Sequence, residues 1–228
     1  MATLATTLRE TMKDFIFGSE DGLISNLGLV LGVAASGAAN ETVLLAGLAS
    51  MFVGAVSMAA GDYLSTKSQR EVIEEEILEE EKRLSKPGAE SKAVKELYRA
   101  AKFTDREIKN FVSRLNTNKA LSLKILAEER LGIIPEKYEN PVKGATTLFL
   151  AYVFGALFPI LPFMFENTRM ASMFSLLASA AVLFAVGAAK TRITKRDWLK
   201  SGLEMLCVAL AAATVGFLIG RFFGTGVL

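Results

Sequence analysis

The chain has 228 residues, 51% of them hydrophobic, with 18 glycines and a formal charge of +2, which is more apolar material than a soluble domain of this size buries. Cys207 is the only cysteine, so an intrachain disulfide is excluded, and nothing points to an oxidising compartment. Histidine is absent, which removes the commonest zinc, copper and nickel ligand and the usual proton shuttle near neutral pH.

Leu4, Leu8, Met12 and Phe15 recur at helical spacing, so the N-terminal segment reads as an interfacial helix feeding the first apolar run rather than a cleavable signal. The first span is expected from about Phe15 to Ala39, its uncharged part starting at Gly22, and the second from Val43 to Tyr63. Span two should continue as one helix through "STKSQREVIEEEILEEEKRL", with a thin apolar stripe of Val72, Ile73, Ile77 and Leu84, until Pro87 and Gly88 stop it. Further helices fit "AESKAVKELYRAA", a segment around Ile108, Phe111 and Leu115, and about Lys119 to Leu131. The second of these is opened by Thr104 to Glu107 at capping-box spacing. Spans three, four and five are expected at Ala145 to Phe165, Met170 to Ala189 and about Leu203 to Phe223.

The expected fold is therefore an all-α integral membrane protein, with five transmembrane helices and a cytosolic helical insert between spans two and three. Residues 1–64 would hold the interfacial helix and spans one and two, 65–143 the insert, and 144–228 spans three to five. Of the 26 lysines and arginines, 24 fall on the side of the N-terminus, the insert and the loop Lys190 to Lys200. By the positive-inside tendency that side is cytosolic and the C-terminus lies outside.

Two residues stand out within the spans. Asp21 lies about seven residues, or ~10 Å, inside the cytosolic end of span one, and Met58 about as far from that end of the antiparallel span two. An ionised carboxylate facing lipid costs several kcal/mol, so Asp21 should face the bundle interior, a water cavity or a cation. Glu20 and Asp62 sit nearer the surface. A carboxylate with a thioether suits a borderline ion such as Fe2+ better than Mg2+ or Ca2+, and oxygen ligands alone would serve Mn2+. Each residue also has a plainer reading. Met58 packs, Asp62 caps the membrane boundary or pairs with Lys67 or a loop arginine, and Asp21 caps a helix start. Gly47, Ser50, Gly54, Ser57 and Gly61 form a small-residue face for close helix packing, as at a dimer axis. The glutamate run of the insert reads as a solvated face with pairs such as Glu79 to Arg83.

"DGLISNLGLVLGVAAS" at Asp21, "GAVSMAAGDYLSTKSQ" at Gly54 and "GALFPILPF" at Gly155 together resemble the vacuolar iron transporter family over essentially the whole chain. The resemblance implies dimers that move ferrous iron, often manganese, out of the cytosol in exchange for protons. It makes Asp21 and Met58 the transport-path acid and methionine, Glu10 an acid ahead of the first span, and Pro159 and Pro162 a third-span motif with broken helical bonding. Where relatives carry a glutamate eight residues before the methionine, this chain has Ser50. Glu76, Glu79, Glu80, Glu90, Glu128 and Glu129 are the counterparts of the relatives' metal-binding glutamates, although the insert has no methionine.

The expected protein is a secondary transporter rather than an enzyme. It has no cofactor, and Fe2+ (or Mn2+, Co2+ or Zn2+) is its substrate. Its partners are protons, the bilayer and a second copy. No Walker loop, Gly-rich dinucleotide turn or nucleic-acid motif appears. A prokaryotic plasma membrane, or a vacuolar membrane in a eukaryote, fits this reading. Two rivals are a membrane adaptor or metal sensor without transport and a membrane ferroxidase, the latter disfavoured because Glu-x-x-His pairs need histidine.

Overall fold

The computed structural model describes residues 2–85, 89–100, 103–108 and 140–224. Its contacts divide the chain into two compact units, Met1–Tyr63 with Pro141–Leu228, and Leu64–Asn140. The helices are α1 (Ala2–Ala35), α2 (Asn40–Leu84), α3 (Ala89–Ala100), α4 (Pro141–Ile160), α5 (Thr168–Thr194) and α6 (Trp198–Gly224). No strand occurs among the described residues. Five of the helices, all but α3, contain segments long and apolar enough to cross a membrane, so the protein is a multi-pass, all-α integral membrane protein.

In the first unit, the interfacial segment and the first span form one unbroken helix. Span one ends at Ala35, four residues short of the expected Ala39. Gly37 turns the chain there at φ +84, in the left-handed region that favours glycine, and the Ser36 hydroxyl donates back to the Val33 carbonyl at 2.7 Å.

α1 packs against α4, α5 and α6. One core cluster joins Val30 of α1 and Met51 and Ala55 of α2 to Tyr152, Ala156 and Ile160 of α4. A second joins Leu23, Leu27 and Leu31 of α1 to Leu183 of α5 and Met205 and Ala209 of α6. Glycines set the separation of these helices. A Cβ on Gly22 would strike the Tyr152 backbone, and one on Gly155 the Ser19 backbone. On its other side α1 presents Gly28 and Gly32 to Gly216 and Gly220 of α6, a pair of G-x-x-x-G steps in direct backbone contact.

The proline pair of span three changes the helix type. Pro159 lies inside α4, and the chain tightens into a 3-10 turn over Leu161–Met164, with Pro162 in its first turn. The Ser175 hydroxyl of α5 donates to the Pro159 carbonyl at 2.8 Å. Asn40, the first residue of α2, donates to the Phe163 carbonyl at 2.6 Å, and Asn167 caps α5 by accepting from the Met170 amide at 3.1 Å. At the basic end, Lys195 closes α5 in the left-handed conformation and the Asp197 side chain accepts from the Lys200 amide to start α6.

The second unit contains the C-terminal half of α2, α3 and residues 103–108. Leu84, Ala93 and Ile108 are its buried apolar residues among those described. Tyr98 and Phe103 meet edge to face at 5.2 Å. The expected capping box is present. The Thr104 amide and hydroxyl donate to Glu107 at 2.9 and 2.6 Å, and residues 105–108 are helical. The expected helix over about 119–131 lies outside the described residues.

Candidate functional site

Asp21 stands on α1 within the membrane span, half-buried, and accepts a hydrogen bond from the Ser25 hydroxyl one turn on, at 3.2 Å. The neighbouring Gly22 must be glycine because the α4 backbone at Tyr152 takes the space of its side chain. That close approach brings Tyr152 beside Asp21. Its hydroxyl sits within electrostatic reach of the Asp21 carboxylate and within hydrogen-bonding reach of Ser25, and it accepts from the Asn26 carboxamide at 3.5 Å. Asn26 is fully buried and also donates to the Gly22 carbonyl at 3.0 Å.

Met58 is half-buried on α2 and packs against the core cluster that contains Tyr152. Gly54, one turn before Met58, faces the Tyr152 ring, which takes the space of its missing side chain. Gly54 and Gly47 therefore receive side chains of α4, Tyr152 and Ile160, within the same protomer, whereas nothing lies within 4 Å of where a Gly61 Cβ would be. Glu20 is half-buried and within electrostatic reach of Lys190 on α5.

Asp62 lies one turn beyond Met58 and turns toward the first turn of α4. A Cβ on Gly144 would fall 2.6 Å from Asp62 Oδ2 and 3.9 Å from Asp14 Oδ2. Two carboxylates thus gather at the amino end of α4, where the helix dipole favours negative charge. Asp14 was not among the residues singled out from sequence. Its signal was the spacing of seven, two helical turns ahead of Asp21. Asn26 and Tyr152 were missed because each is an ordinary residue type on an apolar helix until the neighbouring helix is placed.

The remaining candidates lie apart from this group. Glu10 belongs to α1 and Glu90 to α3. Glu76 and Glu79 are exposed on the C-terminal half of α2. Glu80 is different, with its side chain 12% exposed and held by Arg83 through two hydrogen bonds of 2.7 Å. Arg83 therefore pairs with Glu80 rather than with Glu79, because a step of three residues lets the planar guanidinium meet both carboxylate oxygens. Glu128 and Glu129 lie outside the described residues. Among the described residues, no three acid, histidine or cysteine side chains converge closely enough to hold a metal ion. An ion held beside Asp21 would take part of its ligand set from thioether, amide, hydroxyl or water.

The vacuolar iron transporter 1 of Arabidopsis thaliana is 29% identical over 217 residues, covering 94% of this chain and 87% of that protein. A vacuolar iron transporter 1 of Oryza sativa is 31% identical over 210 residues, covering 91% and 83%. The vacuolar iron transporter of Plasmodium falciparum is 26% identical over 223 residues, covering 93% and 82%. The sequence profile of the VIT family matches residues 12–221, from Met12 of α1 to Arg221 in the last turn of α6, and the chain belongs to that family.

Proposed function

We propose that this protein carries divalent transition metal, Fe2+ or Mn2+, out of the cytosol in exchange for protons, as a secondary transporter and a homodimer. The observation that carries this reading is Asp21, an acid within an apolar span that accepts from Ser25 and has Tyr152 beside it, while Met58 packs against the core cluster that contains Tyr152. The relatives named as vacuolar iron transporters support the choice of substrate. Asp14 and Asp62 at the Gly144 turn would receive the ion before Asp21, and the exposed Glu76 and Glu79 would concentrate cations near the membrane. Glu10, Glu80, Glu90, Glu128 and Glu129 complete the proposed acid set, with Arg83 a cation that metal must displace from Glu80.

At Asp21, metal and proton compete for one carboxylate. Metal entry displaces the proton, and protonation from the far side displaces the metal. The Pro159 and Pro162 break, where the helix already departs from α geometry, is the place for opening toward the far side. A second copy would cover the open apolar groove of 860 Å³ between α1 and α6, beside Ile24, Ser25, Leu29 and Val33. In this reading the N-terminus is cytosolic, the C-terminus is outside, and the membrane is a prokaryotic plasma membrane.

Proteoliposomes recording internal Fe2+ and pH together test the proposal. Wild type should show metal flux with opposite proton movement, Asp21→Asn should lose it, and Met58→Ala should retain a reduced flux with altered preference between Fe2+ and Mn2+. Wild-type protein inserted in the right orientation that moves no metal under either pH gradient overturns the reading.

A further inference from the structure

Among the described residues, the carboxamide of Asn26 is a buried group near Asp21 whose bonding is incomplete. The side chain is fully buried, its Nδ2 donates to the Gly22 carbonyl and the Tyr152 hydroxyl, and its Oδ1 has no partner among the described residues. A buried amide oxygen without a donor is unfavourable unless something transient satisfies it. Asn26 lies five residues past Asp21 on α1, hence ~7.5 Å further from the basic end of the helix. The Tyr152 hydroxyl bridges the two levels, bonded to Asn26 on one side and within reach of Ser25 and Asp21 on the other. Gly54 of α2 faces the Tyr152 ring and hydroxyl, where a Cβ would collide with them. Both bonds made by Nδ2 go to oxygen acceptors, which orients the amide with its oxygen outward from them.

We propose that the Asn26 carboxamide oxygen is an uncharged ligand for the transported divalent cation, directly or through its bound water, at a position beyond Asp21, and that Tyr152 is the positioning residue that holds the amide. This rests on the transport reading above. A neutral oxygen suits a second position because it shares the cation's coordination without adding a charge that would trap it. Among the described residues no three acids converge, and a neutral oxygen ligand would add to the coordination that Asp21 offers a partly dehydrated ion. Oxygen here also favours Mn2+ and Fe2+ over softer ions.

The test uses the full-length protein and Mn2+ as probe, measuring proteoliposome flux and, in detergent, Mn2+ binding by electron paramagnetic resonance. Asn26→Leu, close in volume and apolar, should raise the KM and the dissociation constant for Mn2+ by about tenfold, the scale of losing a group that supports a metal site. Asn26→Asp should tighten Mn2+ binding and lower kcat, because a second charge holds the ion. Tyr152→Phe removes the hydroxyl that accepts from Asn26 and should raise KM and the Mn2+ dissociation constant in the same direction as Asn26→Leu but by less, as loss of positioning predicts. Asn26→Leu that leaves both constants within twofold and melts at a higher temperature overturns the proposal, since the orphan oxygen would then be only a packing defect. Should Asn26→Leu fail to fold, an Asn26→Asp with wild-type Mn2+ affinity and kcat overturns it equally. Absence of flux in wild type, with Mn2+ binding still dependent on Asn26, would sink the transport reading while sustaining the site.

Discussion

The two units are held together by opposite means. In the membrane unit helices meet backbone to backbone, Gly22 on Tyr152, Gly155 on Ser19, and Gly28 and Gly32 on Gly216 and Gly220. In the other unit, ion pairs run along α2 at Lys67 with Glu71, Arg70 with Glu74 and Arg83 with Glu80, and only Leu84, Ala93 and Ile108 are buried apolar residues among those described. Lipid tails are as apolar as leucine, so helices in a bilayer gain little from hiding apolar side chains and associate through close van der Waals contact. Exposed charge pairs in water contribute at most about 1 kcal/mol each. A side chain added to the membrane unit should therefore do far more damage than a charge removed from the other.

Gly155→Leu is the sharpest break. Its side chain would have to displace the α1 backbone at Ser19, which no rotamer change can relieve, so a loss of about 3 kcal/mol or more is expected. The same step removes the seat of Tyr152 beside Asp21. Thermal unfolding in detergent measures this, and a variant as stable as wild type would contradict the glycine argument. Ser175→Ala comes next, because it leaves the Pro159 carbonyl buried without its donor, at about 1 to 2 kcal/mol. In the opposite direction, Gly61→Ala should stabilise the protein by about 0.5 to 1 kcal/mol, since the position is helical with nothing within 4 Å of a new Cβ. Measured side by side, Gly155 and Gly61 separate a glycine kept for contact from one without that role.

How much of this was legible beforehand follows the same division. The spans could be read from composition because hydropathy is a local property, and the capping box because its spacing is. Asp21 and Met58 were legible as an acid and a thioether where lipid penalises one and merely tolerates the other. α1 ends four residues before the expected position because "ASGAAN" carries no charge or proline to mark a stop, and the positive φ of Gly37 turns the chain there. The small-residue stripe of α2 was legible, but its use was not. Gly47 and Gly54 take Ile160 and Tyr152, whereas the tightest glycine pairing joins α1 to α6, about 190 residues away in sequence. Nothing local in Asn26 or Tyr152 distinguishes them, since their importance comes from the close approach of α1 and α4 at Gly22.

The smallest effect tests the charged unit on its own terms. Glu107 accepts from the amide and hydroxyl of Thr104, and these bonds, the hydroxyl's first, hold its carboxyl below the ordinary carboxylate range. A carboxylate depressed in the folded state contributes its stabilisation above the unfolded value and loses it as pH falls through the folded one. The start of the helix at residues 105–108 should therefore be intact at neutral pH and loosen below about pH 4, where the unfolded carboxyl already binds its proton. Titrating the Glu107 carboxyl carbon by nuclear magnetic resonance should give a midpoint below that of an exposed glutamate. Thr104→Ala removes the dominant donor while leaving the backbone amide, so the midpoint should move most of the way back. A wild-type midpoint at the ordinary value would mean that the box does not persist in water, and that the charged unit depends on Leu84, Ala93 and Ile108 more than on its caps.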